Sequence, residues 1–353
     1  MRNTGTRGYT GYRGRKPSGR KWLILALVLI IFAAAAFLVA QHYMVYEMDG
    51  SYRFELPWLR RGSGAQQTAR RGGKQNLEIV IERPEAPEED PVRAQELDAT
   101  ALQGGMERAL SALPAQINAV AVRVKNADGE LLYPSALAGA IEAKAVTGGS
   151  IARTAIRTLT GSDYYAIARL SALHDSRYSA ANRKDAAILQ RNYRGNIWYA
   201  PDSTFYLAPE KEAARQYLCN VAQEVAALGF DELLFDEFAY PVAGRLNNIM
   251  TDERDMTKEE ALALLASNLR EALSDSGAKL SLVMDEKTVL AGGDATSGQD
   301  LASLAIVFDR IYVPTTEAQI PALREALAAY GAELVPVLDA AVAEGPFLLN
   351  SES

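Results

Sequence analysis

Short apolar runs alternate with helical patterns through most of this chain, and this alternation constrains its fold more than any other feature. Runs typical of β-strands occur at 117–124, 164–170, 233–235, 279–284, 310–313, 333–338 and 346–349, with a weaker one at 196–200. Helical patterns lie between several of them, for example at 209–228 and 317–330. Strands that alternate with helices pair in parallel through right-handed crossovers. Seven or eight strands over about 240 residues favour a (β/α)8 barrel of the TIM type over an open sheet.

The two ends of the predicted barrel are less regular than its middle. From about residue 94 to Leu110 the pattern is helix-like, and the last strand is not accompanied by a helical pattern. We therefore predict a barrel that is incomplete at its C-terminal end. Thr257 and Glu260 have the spacing of a capping box, which predicts that a helix begins there and ends near Leu273.

The first 40 residues predict a membrane anchor. Residues 1–21 carry arginines and lysines without an acid, and residues 22–40 contain no charged side chain. An apolar run of this length suits one transmembrane helix, and a basic flank stays in the cytoplasm. The alternative is a cleaved signal peptide, whose apolar core is usually only about 7–15 residues long. We expect a single-pass protein of the cell membrane with a cytoplasmic tail at 1–21.

The remaining chain divides into a stalk and a folded domain. Residues 41–93 are rich in Gly, Ser, Gln, Arg, acids and Pro, which is typical of a flexible, extended segment. Residues 94–353 hold the barrel pattern and have the size of one domain. We expect both parts to lie outside the membrane.

Charge and cysteine content exclude several classes of function. The net charge is −7, and the folded part has no basic stripe, so a nucleic-acid partner is not expected. Cys219 is the single cysteine, which excludes a disulfide within the chain. With only His42 and His174 as histidines, a Cys/His zinc site or a Cys–His nucleophile is also disfavoured. No metal or other cofactor is expected.

The predicted strand at 233–235 leads directly into two carboxylates, Asp236 and Glu237. Barrel enzymes keep their chemistry at the C-terminal ends of the strands. Successive strand residues face opposite sides, so both can point into the barrel mouth only if the strand has ended. Glycoside hydrolysis needs a pair of carboxylates. Other strand ends supply further candidates: Asp285, Glu286, Glu317 and Asp339. The alternative for each lone acid is a helix cap or a loop residue.

Several polar and aromatic residues near these strand ends are candidates for substrate binding. Arg169 interrupts an apolar strand, and its guanidinium either holds a carboxylate or sugar hydroxyl or extends to solvent. His174 follows a few residues later and could reach the mouth. Trp198 and Tyr240 are aromatic residues on which sugar rings could stack, although aromatic side chains are also ordinary core residues.

The run from Gly229 to Pro241, GFDELLFDEFAYP, resembles the signature "GFDEIQFDYVRFP" of the glycoside-hydrolase-like family labelled DUF4015. Three further segments resemble its conserved blocks in order: NAVAVRVK with a following DG at 118–129, YAIARL followed by HD at 165–175, and the tryptophan segment at 197–201. The resemblance implies a TIM-type barrel and a glycan substrate. Asp236, Arg169 and Lys125 are the polar positions that it carries over, and Lys125 is therefore a candidate for substrate binding.

This chain departs from the family pattern at three positions. Arg123 stands where the family has an aspartate, Glu237 where it has a tyrosine, and Ala239 where it has an arginine. Exchanging an acid for a cation at a strand end changes the electrostatics that set proton affinities in the mouth. The chemistry is therefore either rearranged around Glu237 or lost.

These observations leave three hypotheses. The first is an envelope-anchored glycosidase that acts on a polysaccharide, peptidoglycan included. Asp236 would be its nucleophile or base, Glu237 or Asp285 its acid, and Arg169 would orient one of them. The second is a barrel that binds a glycan or an envelope partner without cleaving it, which the changes at Arg123 and Ala239 favour. The third is a purely structural extracytoplasmic domain.

Overall fold

The computed structural model describes residues 44–46, 52–54, 90–193, 195–250 and 256–350. The predicted cytoplasmic tail and transmembrane helix lie outside these residues, as does most of the predicted stalk. Within the described residues, no helix has both the length and the apolar character needed to cross a membrane. The chain divides into two units, residues 1–84 and 85–353. In the first unit, Met44–Tyr46 and Tyr52–Phe54 pair as antiparallel strands.

The second unit is a closed barrel of eight parallel strands, which confirms the predicted (β/α)8 TIM-type fold. Each strand pairs with the next in chain order, and the eighth pairs with the first. The strands are β1 Arg93–Leu97, β2 Ala119–Lys125, β3 Tyr165–Ser171, β4 Glu232–Asp236, β5 Lys279–Val283, β6 Arg310–Pro314, β7 Glu333–Leu338 and β8 Phe347–Leu349.

Helices connect most of these strands on the outside of the barrel. They are α1 Met106–Ser111, α2 Ala138–Glu142, α3 Ser150–Thr160, α4 Ser176–Ala181, α5 Arg183–Ala186, α6 Glu212–Ala226, α7 Lys258–Ala272, α8 Glu286–Ala291, α9 Leu301–Ala305 and α10 Ile320–Ala328. Short 3-10 helices lie at Ala101–Gln103, Leu246–Asn248 and Glu317–Gln319. No helix separates β7 from β8 in the described residues 339–346. The predicted incompleteness therefore concerns a helix, because all eight strands are present.

Strand β1 corrects the first part of the helix-like stretch predicted from about residue 94 to Leu110, whose later part does contain the 3-10 helix Ala101–Gln103 and the start of α1. Burial alternates along β1, with Ala94 and Glu96 buried and their neighbours partly exposed. Polar residues thus occupy both faces, so the sequence shows no apolar run there. The weak strand predicted at 196–200 is also wrong, since only Ile197 forms an isolated bridge, to Leu189.

The apolar core has two layers that the strands separate. Inside the barrel, small and branched side chains pack together: Ala94, Ala119, Ala121, Ile167, Leu234, Tyr312, Val335, Val337 and Leu348. The opposite faces of the strands pack on the helices. Burying each larger aliphatic side chain stabilises the fold by roughly 1.5–3 kcal/mol. The predicted capping box is confirmed, because Thr257 and Glu260 cap the first turn of α7 reciprocally.

The long loops after β3 and β4 are joined above the barrel. Leu189–Gln190 and Ile249–Met250 pair as short antiparallel strands. The indole Nε1 of Trp198 donates a hydrogen bond of 3.0 Å to the carbonyl oxygen of Arg245. The two loops therefore form one continuous wall beside the C-terminal ends of the strands.

Candidate functional site

A cavity of about 1310 Å³ lies at the C-terminal ends of the barrel strands. Strands β2 and β3 contribute Arg123 and Arg169, and the end of β4 contributes Asp236 and Glu237. The loop after β5 adds Asp285 and its neighbours. The cavity thus occupies the position at which TIM barrels carry their active sites.

Four charged side chains from four adjacent strands form one network inside the barrel mouth, the mouth quartet: Glu96, Arg123, Arg169 and Asp236. Oδ2 of Asp236 accepts hydrogen bonds from Arg169 Nε at 2.8 Å and from Arg123 Nη1 at 2.9 Å. Arg169 Nη1 also donates to Glu96 Oε2 at 2.5 Å. The neighbouring acids favour the charged form of Arg169 and raise its pKa, although burial alone would lower it. Arg123 and Arg169 therefore each form ion pairs with both carboxylates.

The second oxygen of Asp236 is in a different situation. Oδ1 is buried, and none of the residues that the structure describes forms a hydrogen bond with it. A buried polar atom without a partner is costly, of the order of 1–3 kcal/mol. Buried polar atoms without a partner also occur elsewhere in the described residues, for example Tyr217 OH and Ser281 Oγ, so this feature alone does not identify a functional site.

The backbone at Glu237 explains how two adjacent carboxylates reach the same cavity. Strand β4 ends at Asp236, and Glu237 has a left-handed φ of 51°. For a residue with a Cβ this conformation costs about 1–2 kcal/mol. Two backbone hydrogen bonds hold it, from Ala172 N to Asp236 O and from Leu173 N to Glu237 O. The strand alternation is thereby broken at this point, and both side chains line the cavity.

The carboxylate of Glu237 is fixed by the loop after β3. Ser171 Oγ donates to its Oε2, and His174 Nδ1 lies 3.3 Å from its Oε1. Burial raises the pKa of Glu237, but the hydrogen bonds from His174 and Ser171 and the charges of His174 and Arg123 outweigh it. The net effect is a lowered pKa, so Glu237 is ionised at neutral pH.

The remaining predicted site residues on the cavity differ in accessibility. Asp285 is exposed and precedes α8 without a hydrogen bond from its side chain to the helix. Tyr240 also lines the cavity, but it is only 3% exposed and its hydroxyl donates to Glu210 Oε2 at 2.7 Å. Asp285 is thus free to meet a substrate, whereas Tyr240 is mainly part of the wall.

Two predicted substrate-binding residues have structural positions instead. A register shift in β2 between Arg123 and Lys125 turns Lys125 away from the barrel mouth. Its side chain is fully buried, and its Nζ lies 2.9 Å from Asp175 Oδ2 and from Ser171 O. Trp198 is 1% exposed within the loop wall. Neither residue lines the cavity, so substrate contact is corrected to structural support for both.

The predictions missed two residues of the site, Glu96 and Ser171. Glu96 lies on β1, whose strand pattern was not recognised. The spacing of Ala94 and Glu96 is the available sequence signal of a strand, because residues two positions apart lie on the same face of a strand. Ser171 ends β3, and nothing in its local sequence distinguishes it from an ordinary polar strand end. Among the described residues, no group of three or more His, Cys, Asp or Glu side chains is placed to hold a metal ion.

The opposite end of the barrel carries a second polar cluster. Arg310 Nη1 donates to Glu232 Oε2 at 2.5 Å, and Arg310 Nε donates to Glu333 Oε2 at 2.8 Å. Nearby, burial raises the pKa of Tyr165 far above its ordinary value, with the charge of Glu232 adding to the effect. These groups lie at the N-terminal ends of the strands, where side chains serve the stability of the barrel.

Comparison with known proteins gives a family and several structural likenesses. Residues 99–313 match the family DUF4015, described as "Putative glycosyl hydrolase domain". A hypothetical protein from Ruminiclostridium thermocellum ATCC 27405 is 23% identical, with a TM-score of 0.45 over 53% of this chain and 96% of its own. The PgaB (BpsB) glycoside hydrolase domain from Bordetella bronchiseptica is 14% identical, with a TM-score of 0.49 over 70% and 83%. A search of curated protein sequences found no match. The family match covers more than half of the chain, which therefore belongs to the DUF4015 family of glycosyl-hydrolase-like domains.

Proposed function

We propose that this protein is a membrane-anchored glycoside hydrolase that cleaves a polysaccharide outside the cytoplasmic membrane. The observation that carries the proposal is the left-handed backbone at Glu237, which places its carboxylate beside Asp236 in the barrel mouth. Strained backbone at a non-glycine residue persists only where the surroundings hold it, and it is concentrated at functional sites. Family membership supplies the reaction class.

We infer the roles of the carboxylates from their contacts and from their positions on the cavity. The lowered pKa of Glu237 keeps this residue ionised, which suits a nucleophile or general base and not an acid. We assign the role of the acid that protonates the leaving oxygen to Asp285 from its position, because it follows the neighbouring strand β5 and lines the same cavity. Asp236, held by Arg123 and Arg169, stabilises positive charge that develops on the sugar.

The proposed location rests on the sequence before the barrel. The uncharged run at 22–40 and the basic flank at 1–21 support an anchor with the barrel outside. Protease treatment of intact spheroplasts tests this location. Digestion of the barrel without membrane lysis is the expected result, and full protection would contradict it.

A second candidate function is a barrel that binds a glycan without cleaving it. It is favoured by Arg123, which together with Arg169 donates a hydrogen bond to Asp236 Oδ2. A carboxylate oxygen that is shared by two guanidinium groups is less available to a reacting sugar. Glycan binding and glycan cleavage must therefore be measured separately.

The test uses the purified full-length protein in detergent and a glycan panel that includes peptidoglycan. New reducing ends report cleavage, and co-sedimentation reports binding. We expect Glu237→Gln and Asp236→Asn to lose at least about 100-fold in turnover, the usual contribution of such groups. Asp339→Asn is the matched control, because Asp339 also follows a barrel strand but is exposed outside the cavity. Equal turnover by the parent and Glu237→Gln would contradict the proposal, and binding without turnover by the parent would establish the second candidate.

A further inference from the structure

A chain of side chains connects Glu237 to the wall of the cavity. His174 Nδ1 lies 3.3 Å from Glu237 Oε1, and His174 Nε2 lies 2.6 Å from Thr204 Oγ1. Thr204 Oγ1 lies in turn 2.7 Å from Asp202 Oδ1. The imidazole is largely buried, with 11% of its side chain exposed. Each of its two nitrogens therefore has one defined partner.

The donors along this chain can be assigned one after the other. Hydrogen bonds from Thr204 lower the pKa of Asp202, so this carboxylate is ionised and can only accept. The single hydroxyl proton of Thr204 points to Asp202. Thr204 Oγ1 must then accept from the ring, which places a proton on Nε2 of His174.

The same reasoning applies to the other ring nitrogen. Nδ1 and Glu237 Oε1 cannot face each other at 3.3 Å as two bare acceptors, so one proton lies between them. Because a carboxyl group is ordinarily a stronger acid than an imidazolium, that proton lies on the ring. Ser171 Oγ lies within hydrogen-bond distance of Glu237 Oε2 and of the His174 carbonyl oxygen, and its closer partner is Glu237.

We propose that His174 is a positioning residue for Glu237, an imidazolium that donates to Glu237 from Nδ1 and to Thr204 from Nε2. This inference rests on the proposed function for its catalytic meaning, but the protonation of the ring is independent of catalysis. His174 acts through Glu237 and is not itself required to touch the substrate. It holds the carboxylate in one orientation and supplies the charge that balances it.

The groups that face the ring fit a cation. Glu237 and Asp202 flank it with negative charge, and the ring of Tyr206 stacks on it with centroids 4.5 Å apart and planes 7° apart. Burial, together with the charges of Glu237 and Asp202, raises the pKa of Tyr206 to about 12, so the phenol stays neutral. Stacking of a cation on a neutral aromatic ring is favourable. Asp175, the next residue in the chain, is already paired with Lys125.

Nitrogen NMR of the histidine rings tests the proposal directly. The chain has two histidines, so the His42→Gln variant of the full-length protein leaves the signals of His174 alone. At pH 7 we expect both ring nitrogens to carry protons. In Glu237→Gln on the same background, the amide can donate to Nδ1, and we expect the ring to become neutral. A neutral ring with a bare Nδ1 in the parent, or no change in Glu237→Gln, would overturn the proposal.

A matched pair of variants separates positioning from general support. Thr204→Ser keeps the hydroxyl group that accepts from His174. Thr204→Val keeps the shape of the side chain but removes this hydroxyl group. We expect Thr204→Val to lower kcat about tenfold with KM unchanged, and Thr204→Ser to retain kcat within about twofold. A loss in both variants, or in neither, would argue against the role. A parent that binds glycan without cleaving it, yet shows the doubly protonated ring, would refute only the proposed hydrolysis.

Discussion

The left-handed backbone at Glu237 predicts that glycine at this position gives a more stable protein than alanine, the reverse of the usual order. Both Glu237→Ala and Glu237→Gly remove the contacts with Ser171 and His174, so the two variants differ in backbone freedom alone. A left-handed φ costs about 1–2 kcal/mol for a residue with a Cβ and almost nothing for glycine. Greater flexibility of glycine in the unfolded chain offsets about 0.5–1 kcal/mol of this gain. We expect Glu237→Gly to be the more stable variant by about 0.5–1 kcal/mol.

Thermal unfolding followed by circular dichroism measures this difference. For a domain of this size, 1 kcal/mol corresponds to a shift of about 2–4 °C in Tm. Ala239→Gly is the matched control, because Ala239 lies two residues away without a left-handed φ. Its expected change is destabilising by about 0.5–1 kcal/mol. If Glu237→Gly is no more stable than Glu237→Ala, the backbone at this position is not strained, and the argument for a functional site loses its main support.

Three further predictions concern stability. Lys125→Met leaves Asp175 as a buried unpaired charge and should lower the free energy of unfolding in urea by about 3–5 kcal/mol. Lys184→Met is the control, because Lys184 is exposed and its replacement should change this free energy little. A loss below about 1 kcal/mol in Lys125→Met would contradict the buried ion pair. Because the pKa of Glu237 is lower in the folded state than its ordinary value of 4.5, the ionised carboxylate stabilises the fold at pH values above 4.5. This stabilisation is lost as the pH falls through the lower pKa of the folded state. Glu237→Gln should therefore show a shallower loss of stability on acidification than the parent. Thr257→Ala should cost about 1 kcal/mol through the lost cap of α7, and an unchanged Tm would refute it.

Much of the barrel could be predicted because most of its strands are buried on both faces. In β4, for example, Leu233, Leu234 and Phe235 are all buried and form a continuous apolar run in the sequence. Strand β1 is different, since its buried Glu96 is charged and forms an ion pair with Arg169 of β3. Arg169 lies 73 residues away in the chain, and the local sequence around Glu96 does not indicate this contact.

The site could be predicted in part. Asp236, Glu237, Arg169 and Asp285 do line the cavity at the strand ends, as the position of β4 and its neighbours indicated. Successive strand residues face opposite sides, yet Asp236 and Glu237 line the same cavity because the backbone at Glu237 is left-handed. Residue preferences do not predict this conformation for a glutamate.

The misassigned residue Lys125 has a similar cause. A register shift within β2 reverses its face, and its ion pair joins residues 50 positions apart, Lys125 and Asp175. The turn that follows packs directly on this carboxylate: a Cβ on Gly129 would lie 2.0 Å from Asp175 Oδ1, and the residue has a φ of 88°. Side-chain roles that depend on register and on distant partners require the folded geometry.

The mouth quartet has a consequence for how this barrel can change over evolutionary time. Two guanidinium groups and two carboxylates balance one another, so the four positions are electrically neutral as a set. Returning an aspartate to position 123 alone would leave one arginine facing three acids, and its effect should not add to that of a change at Glu96. Lineages that exchange one of these residues are therefore expected to exchange a second, so that the four positions are inherited as a block.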